Sequence, residues 1–250
     1  MENIKLILIG NTQVGKTAII QQFTEGTFLE EYLPTFAADK KKKAIEIDDE
    51  TDKIKTTLTL EIWDTLGQEN NRAANKIFMK NSKIALLVYD ITNQKSFDDL
   101  NVFLGQVDEV VGRDNIVLGV VGNKSDLYED QVITKETGEE YANNIGALFF
   151  ETTAMENEVI ENLFKSISLQ YVKKKNLINN NKKDNNDKND DKIESNDDIG
   201  NNKEIKNINE EQVNQIANKI NEEYKLEGSF SLNEKKEKEV GSNIKKKSCC

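Results

Sequence analysis

The stretch Gly10-Asn-Thr-Gln-Val-Gly15-Lys16-Thr17 decides how this chain is read. It fits G-x-x-x-x-G-K-[ST]. It stands between a short apolar run at 4–9, which reads as a buried strand, and a helical pattern over about 16–24. Glycines let backbone wrap closely, so that successive N–H groups point at phosphate oxygens. The helix start adds its partial positive charge. Lys16 is placed to reach β and γ phosphates, and the Thr17 hydroxyl to hold Mg²⁺. Gly10, Asn11, Thr12, Gln13, Val14, Gly15, Lys16, Thr17 and Ala18 are therefore the expected phosphate-loop residues of a nucleotide site.

Outward from this loop, strands and helices alternate. Residues 44–47 and 56–63 read as two strands around an acidic turn, the second with Leu58, Leu60 and Ile62 on one face. Residues 84–89 and 116–121 are continuous apolar runs, the mark of strands buried on both faces, and 147–150 is a shorter one. Helical patterns fall at 97–111, 135–143 and 156–172. Alternation of this kind predicts an α/β fold with a mostly parallel six-stranded sheet and helices on both faces.

Two later segments choose the base. Asn123-Lys124-Ser125-Asp126 leaves the strand at 116–121, and a carboxylate at Asp126 can accept from N1–H and N2–H₂ of guanine. Adenine lacks those donors and would leave the carboxylate unpaired. Glu151-Thr-Thr153-Ala154-Met155 follows the strand at 147–150, where a backbone N–H can reach guanine O6. Both segments sit at strand C-terminal ends, where open α/β sheets bind ligands. Between them runs Trp63-Asp64-Thr-Leu66-Gly67-Gln68-Glu69. Asp64 can hold Mg²⁺ through water, Gly67 can approach the γ-phosphate, and Gln68 can orient an attacking water. Thr35, beside the only Pro, is suited to close on Mg²⁺, and Phe28 could pack on the base.

Composition removes other chemistries. The chain has 250 residues, 45 Asp and Glu, 34 Lys and Arg, no His and two Cys. Histidine bases, Ser-His-Asp triads and His metal sites are excluded. Cys249 and Cys250 offer neither a disulfide framework nor zinc spacing. Net charge −11 argues against nucleic acid as a partner. No apolar run reaches the roughly 18–20 residues of a transmembrane span. The first residues show no signal pattern, and Glu2 excludes myristoylation. Residues 1–172 hold 17 basic and 29 acidic side chains; 173–250 hold 17 Lys and 16 acidic ones, with Asn at 17 of 78 positions. That last part is too poor in apolar residues to offset its ordering entropy and reads as disordered. If flexible, 173–248 would span about 45–50 Å r.m.s.. Within it, 209–226 shows helical spacing, either a short amphipathic helix or one that frays in water. Lys40–Lys43 reads first as a solvated edge strand and second as a partner contact.

Over 4–172 these motifs resemble a Ras-superfamily small GTPase, most like the Rab branch. Trp63-Asp-Thr…Gly67-Gln-Glu and Leu87-Val-Tyr-Asp-Ile-Thr92 are similar to Rab segments, as is Cys249-Cys250. Lys247 stands where a C-a-a-X box would need Cys. The resemblance implies a small G domain over 1–172 and a tail over 173–250. It implies a GTP/GDP switch that hydrolyses GTP slowly, with Mg²⁺ as cofactor and Gln68 as the catalytic residue. Metal ligands would be Thr17, Thr35 and Asp64. Nucleotide contacts would come from the loop residues above, Phe28, Thr35, Gly67, Asn123, Lys124, Asp126, Thr153, Ala154 and Met155. Exchange factors, GTPase-activating proteins, effectors, a prenylation escort and transferase, and a dissociation inhibitor are the implied partners. Lipidation at Cys249 and Cys250, aided by lysines 245–247, would place the chain on the cytoplasmic face of an intracellular membrane, cycling with cytosol and serving vesicle traffic. Departures fall at Gln13, Leu66, Asn70, Asn71, Met155 and Phe36-Ala-Ala-Asp-Lys. They leave open a module of the same fold that binds guanine nucleotide without hydrolysing it. An ATP-binding signalling ATPase is a third reading, against which Asp126 speaks.

Overall fold

The computed structural model describes residues 2–28, 39–64, 76 and 78–187, with only the backbone at 39 and 181–187. Thr35, Phe36, Leu66, Gly67, Gln68, Asn70, Asn71, the stretch 209–226, lysines 245–247 and Cys249-Cys250 lie outside the described residues.

In chain order the described elements are β1 (Glu2–Ile9), α1 (Lys16–Glu25), β2 (Asp39–Asp49), β3 (Ile54–Asp64), β4 (Ile84–Asp90), α2 (Gln94–Asp98), α3 (Leu100–Val110), β5 (Val117–Asn123), α4 (Lys135–Asn144), β6 (Leu148–Thr152) and α5 (Asn157–Asp187). The six strands form one sheet in the order β2-β3-β1-β4-β5-β6. Only β2 runs antiparallel, against β3. The expected mostly parallel α/β sheet is what forms. The central runs explain why: β4 and β5 are buried along their whole length. On one side, Ile7, Leu87, Tyr89, Leu118 and Val120 pack under Leu100, Phe103, Leu104 and Val107 of α3 and Ala142 of α4. Alternate residues such as Leu6, Leu8, Leu86 and Val88 are equally buried. They belong to the side where α1 and α5 lie, joined by the stacked rings of Phe23 and Phe164 at 3.8 Å.

Three elements differ from the sequence expectation. The helix expected at 97–111 begins earlier, because the Asn93 side chain accepts from Ser96 N–H and caps α2. It is jointed at Asp99, whose carbonyl takes both Val102 and Phe103 N–H. The lysine run lies on β2, which is the expected edge strand with Lys40 and Lys42 exposed, but its lysines face both sides of the sheet and are paired as well as solvated. Lys41 pairs with Glu25, Lys42 with Glu61 directly across the ladder, and Lys43 with Glu161 and the Phe23 carbonyl. The alternation of β2 sends 41 and 43 one way and 42 the other.

The third difference is the length of α5, which runs past Val172 to Asp187. Apolar periodicity ends near Val172, but three successive lysines take over as anchors. Lys173 bridges Asp49 and Asp52 at 2.9 and 2.7 Å, Lys174 donates to the Ile116 carbonyl, and Lys175 pairs with Glu2, which also accepts from Tyr171. Such part-exposed pairs contribute roughly 0.2–1 kcal/mol each. They carry a pH signature. Lys175 and Tyr171 hold the Glu2 carboxyl below its ordinary value against burial. Burial raises Asp49, but Lys173 and the neighbouring N–H groups outweigh it and keep that carboxyl low too. Depressed acids stabilise above their unfolded values, near 4, and lose the effect as pH falls through the folded ones. Amide exchange at 173–180 should therefore quicken, relative to 160–168, between pH 6 and pH 3.5. Equal protection ratios at both pH values would count against the anchor.

Tyr89 wedges between elements and fixes Gly138. Its ring meets Phe97 edge-on at 5.0 Å, and its buried Oη has no hydrogen-bond partner among the described residues. A Cβ on Gly138 would lie 2.5 Å from that Oη and 2.5 Å from Phe149 Cε2. Alanine gains about 1 kcal/mol of helix propensity, whereas overpacking costs about 1–3 kcal/mol. Gly138→Ala should accordingly lower stability by up to about 2 kcal/mol in urea unfolding. Tyr89→Phe should be neutral or stabilising, because it removes an unsatisfied hydroxyl.

Candidate functional site

The site gathers at the C-terminal ends of β1, β3, β5 and β6. Gly10 follows β1, and the loop reaches α1 through two left-handed residues, Gln13 (φ 68) and Gly15 (φ 94). Gln13 is the costlier, since a side chain there disfavours the conformation by about 1–2 kcal/mol. That bend is the physical reason a small residue suits the position. No side chain caps α1, and its first turn holds no acidic residue, so the positive helix end is left for an anion.

Lys16 is buried under the loop and donates to the Gly10 and Asn11 carbonyls at 2.9 and 2.8 Å. Burial draws its ammonium down to about 8, opposed by the Asp64 charge. Phosphate oxygens would return the favourable field that burial removes. Thr17 Oγ1 donates to Asp64 Oδ2 at 2.6 Å, which joins the start of α1 to the end of β3. A hydroxyl and a carboxylate brought together are hard oxygen donors of the kind Mg²⁺ takes. The third expected ligand, Thr35, lies outside the described residues, and among the described residues no set of three His, Cys, Asp or Glu forms a metal cluster.

The base segments meet the phosphate loop through one side chain. Asn123, 2% exposed, donates from Nδ2 to the Val14 carbonyl at 2.8 Å, and its Oδ1 accepts from Thr152 Oγ1 at 3.2 Å. So the loop, the end of β5 and the end of β6 are bound together. Gly15 leaves room for that amide, because a Cβ there would lie 2.2 Å from Asn123 Nδ2. Lys124 is left-handed (φ 67) and pairs with Asp90 at 2.5 Å. Asp126 is exposed two residues on. Met155 N–H donates to Thr153 Oγ1, while the Met155 and Phe28 side chains stay exposed, at 52% and 37%.

Residues 5–173 match the Ras family. The chain belongs to the Ras family. It is a small GTPase and most resembles the Rab branch. It is 35% identical to the Ras-related protein RABD2a of Arabidopsis thaliana over 66% of this chain and 77% of that protein. It is 36% identical to the Ras-related protein Rab-37 of Mus musculus over 66% and 71%. Against the Ras-related protein Rab-8A of Bos taurus it is 35% identical over 66% and 76%.

In this Ras-family chain, the structure brings together Gly10 to Ala18, Asp64, Asn123 to Asp126 and Thr153 to Met155 at one sheet edge. Sequence reasoning missed two neighbours of the site. Asn11 Nδ2 donates to Asp99 Oδ2 at 2.7 Å, tying the loop to the α2–α3 joint. Asp90 pairs with Lys124. Nothing in the sequence marked Asp99; Asp90 stood inside a quoted segment without a role.

Proposed function

We propose that the chain is a Rab-like GTP/GDP switch in which the residues above bind guanine nucleotide, and that it serves vesicle traffic from a lipid anchor. Asn123 carries the reading, because it couples the phosphate loop to both segments expected to read the base. Lys16 and the loop N–H groups hold the β and γ phosphates. Asp126, with the backbone at Ala154, selects guanine, and Phe28 and Met155 flank the base. Thr17, Asp64 and Thr35 would hold Mg²⁺, which neutralises charge on the phosphates when bound. Gln68 orients the water for in-line attack. Thr35 and Gly67 close on the γ-phosphate, and hydrolysis releases them. A G domain over 1–172 and a tail over 173–250 remain the proposed division, with α5 crossing it. Cys249 and Cys250 are the proposed prenyl acceptors. Exchange factors, activating proteins, effectors, an escort and a dissociation inhibitor are the proposed partners, at the cytoplasmic face of an intracellular membrane.

The test is nucleotide competition followed by single-turnover hydrolysis. GTP should displace a fluorescent GDP far better than ATP does, and Gln68→Leu should slow hydrolysis by about tenfold or more, because it removes the group that orients the attacking water. Equal displacement by ATP would overturn the guanine reading. A second reading, a nucleotide-locked binding module, is favoured by the left-handed Gln13. Wild-type hydrolysis as slow as that of Gln68→Leu would establish it.

A further inference from the structure

We propose that Asp90 is a positioning residue for base recognition: its pair with Lys124 holds the bend that aims the Asp126 carboxylate. This rests on the guanine reading above and adds to it a residue outside the motifs that carried that reading.

Asp90 ends β4 and lies in register with Asn123, which ends β5. It is 6% exposed. One oxygen, Oδ1, accepts from Thr92 N–H at 2.9 Å and from the Thr92 hydroxyl at 2.8 Å. The other, Oδ2, faces Lys124 Nζ at 2.5 Å. The Asp90 backbone is fixed as well. Its N–H donates to Ser96 Oγ at 3.0 Å, and Ser96 Oγ donates in turn to the Asn93 carbonyl. Asn93 caps α2. The carboxylate is therefore seated from its own side before Lys124 reaches it.

Lys124 needs such a seat. Its backbone is left-handed (φ 67, ψ 38), a conformation that side chains disfavour and that persists where surroundings impose it. It precedes the tight turn Ser125–Asp130, which no side chain caps. The Lys124 carbonyl accepts from Leu127 N–H at 2.9 Å, so the direction of Lys124 sets the direction of that turn. Asp126 is the second residue of the turn. Without the Asp90 charge, Lys124 loses its opposing partner and the bend its outer restraint. Asn123, held by Val14 and Thr152, would stay in place. The loss should therefore fall on base contacts and spare phosphate contacts.

The experiment uses the full chain carrying Asp90→Asn, which keeps shape and the Thr92 contacts but removes charge. GDP and ADP affinities are measured by displacement of fluorescent GDP, and hydrolysis of pre-bound GTP in single turnover. The GDP-to-ADP preference should fall about tenfold, the worth of one charge-assisted hydrogen bond. ADP affinity and the single-turnover rate should stay within about twofold, since both report the phosphate end. Thr92→Val, which removes the hydroxyl bond to Asp90 Oδ1 but keeps the backbone N–H bond and the charge, should move the preference the same way by about two- to threefold; it stands in if Asp90→Asn does not fold. A merely structural pair would weaken GDP and ADP alike or leave both unchanged, and either result overturns the proposal. Wild-type protein that binds ADP as tightly as GDP defeats the guanine reading and this proposal together. Wild-type preference that survives in both variants defeats the proposal alone.

Discussion

Gly15→Ala is expected to speed GDP dissociation a hundredfold or more, while the sheet still folds. Two effects add. The left-handed backbone (φ 94) strains a residue with a Cβ by about 1–2 kcal/mol. The new Cβ would also lie 2.2 Å from Asn123 Nδ2, so the amide must swing away from the Val14 carbonyl. A buried carbonyl left without its donor costs about 1–3 kcal/mol. The total, near 3 kcal/mol, corresponds to about two decades in affinity. Stopped-flow release of a fluorescent GDP measures it. Release within threefold of wild type would mean that the amide is not what the glycine accommodates.

Asn123→Ala should be at least as severe, reaching about a thousandfold in GDP affinity. It orphans the Val14 carbonyl and the Thr152 hydroxyl together, at about 1–3 kcal/mol each. Part of this should appear as lower stability without nucleotide, because the ends of β5 and β6 lose a shared partner. The double variant separates the causes. Gly15→Ala already displaces Asn123, so in the double variant only the backbone strain of about 1–2 kcal/mol should add to the cost of Asn123→Ala. Full additivity in urea unfolding and in GDP release would show that the two residues act apart.

The central strands were legible because parallel strands buried on both faces leave continuous apolar runs, as in Ile84–Asp90. The phosphate loop was legible because close backbone approach restricts residue choice at Gly10 and Gly15. Tertiary charge pairing was not. Lys41, Lys42 and Lys43 each find an acid from a different element, Glu25, Glu61 and Glu161. No local pattern in a lysine run announces that. The extension of α5 escaped for the same reason: lysines 173–175 carry no apolar stripe, yet they reach Asp49, Ile116 and Glu2. Asp90 stood only inside the segment quoted for the Rab resemblance, and its pair with Lys124 across the register of β4 and β5 is what gives it a role.

The three lysines of α5 have a mechanical consequence. Successive helix residues point about 100° apart, so 173, 174 and 175 grip in three directions around one axis. Their partners lie at the N-terminal ends of β1 and β5 and at the β2–β3 turn, the sheet edge opposite the nucleotide loops. Helix beyond Val172 adds fifteen residues, a rod of about 22 Å in place of coil. A pull or twist applied at Asp187 is therefore delivered as shear to that far edge.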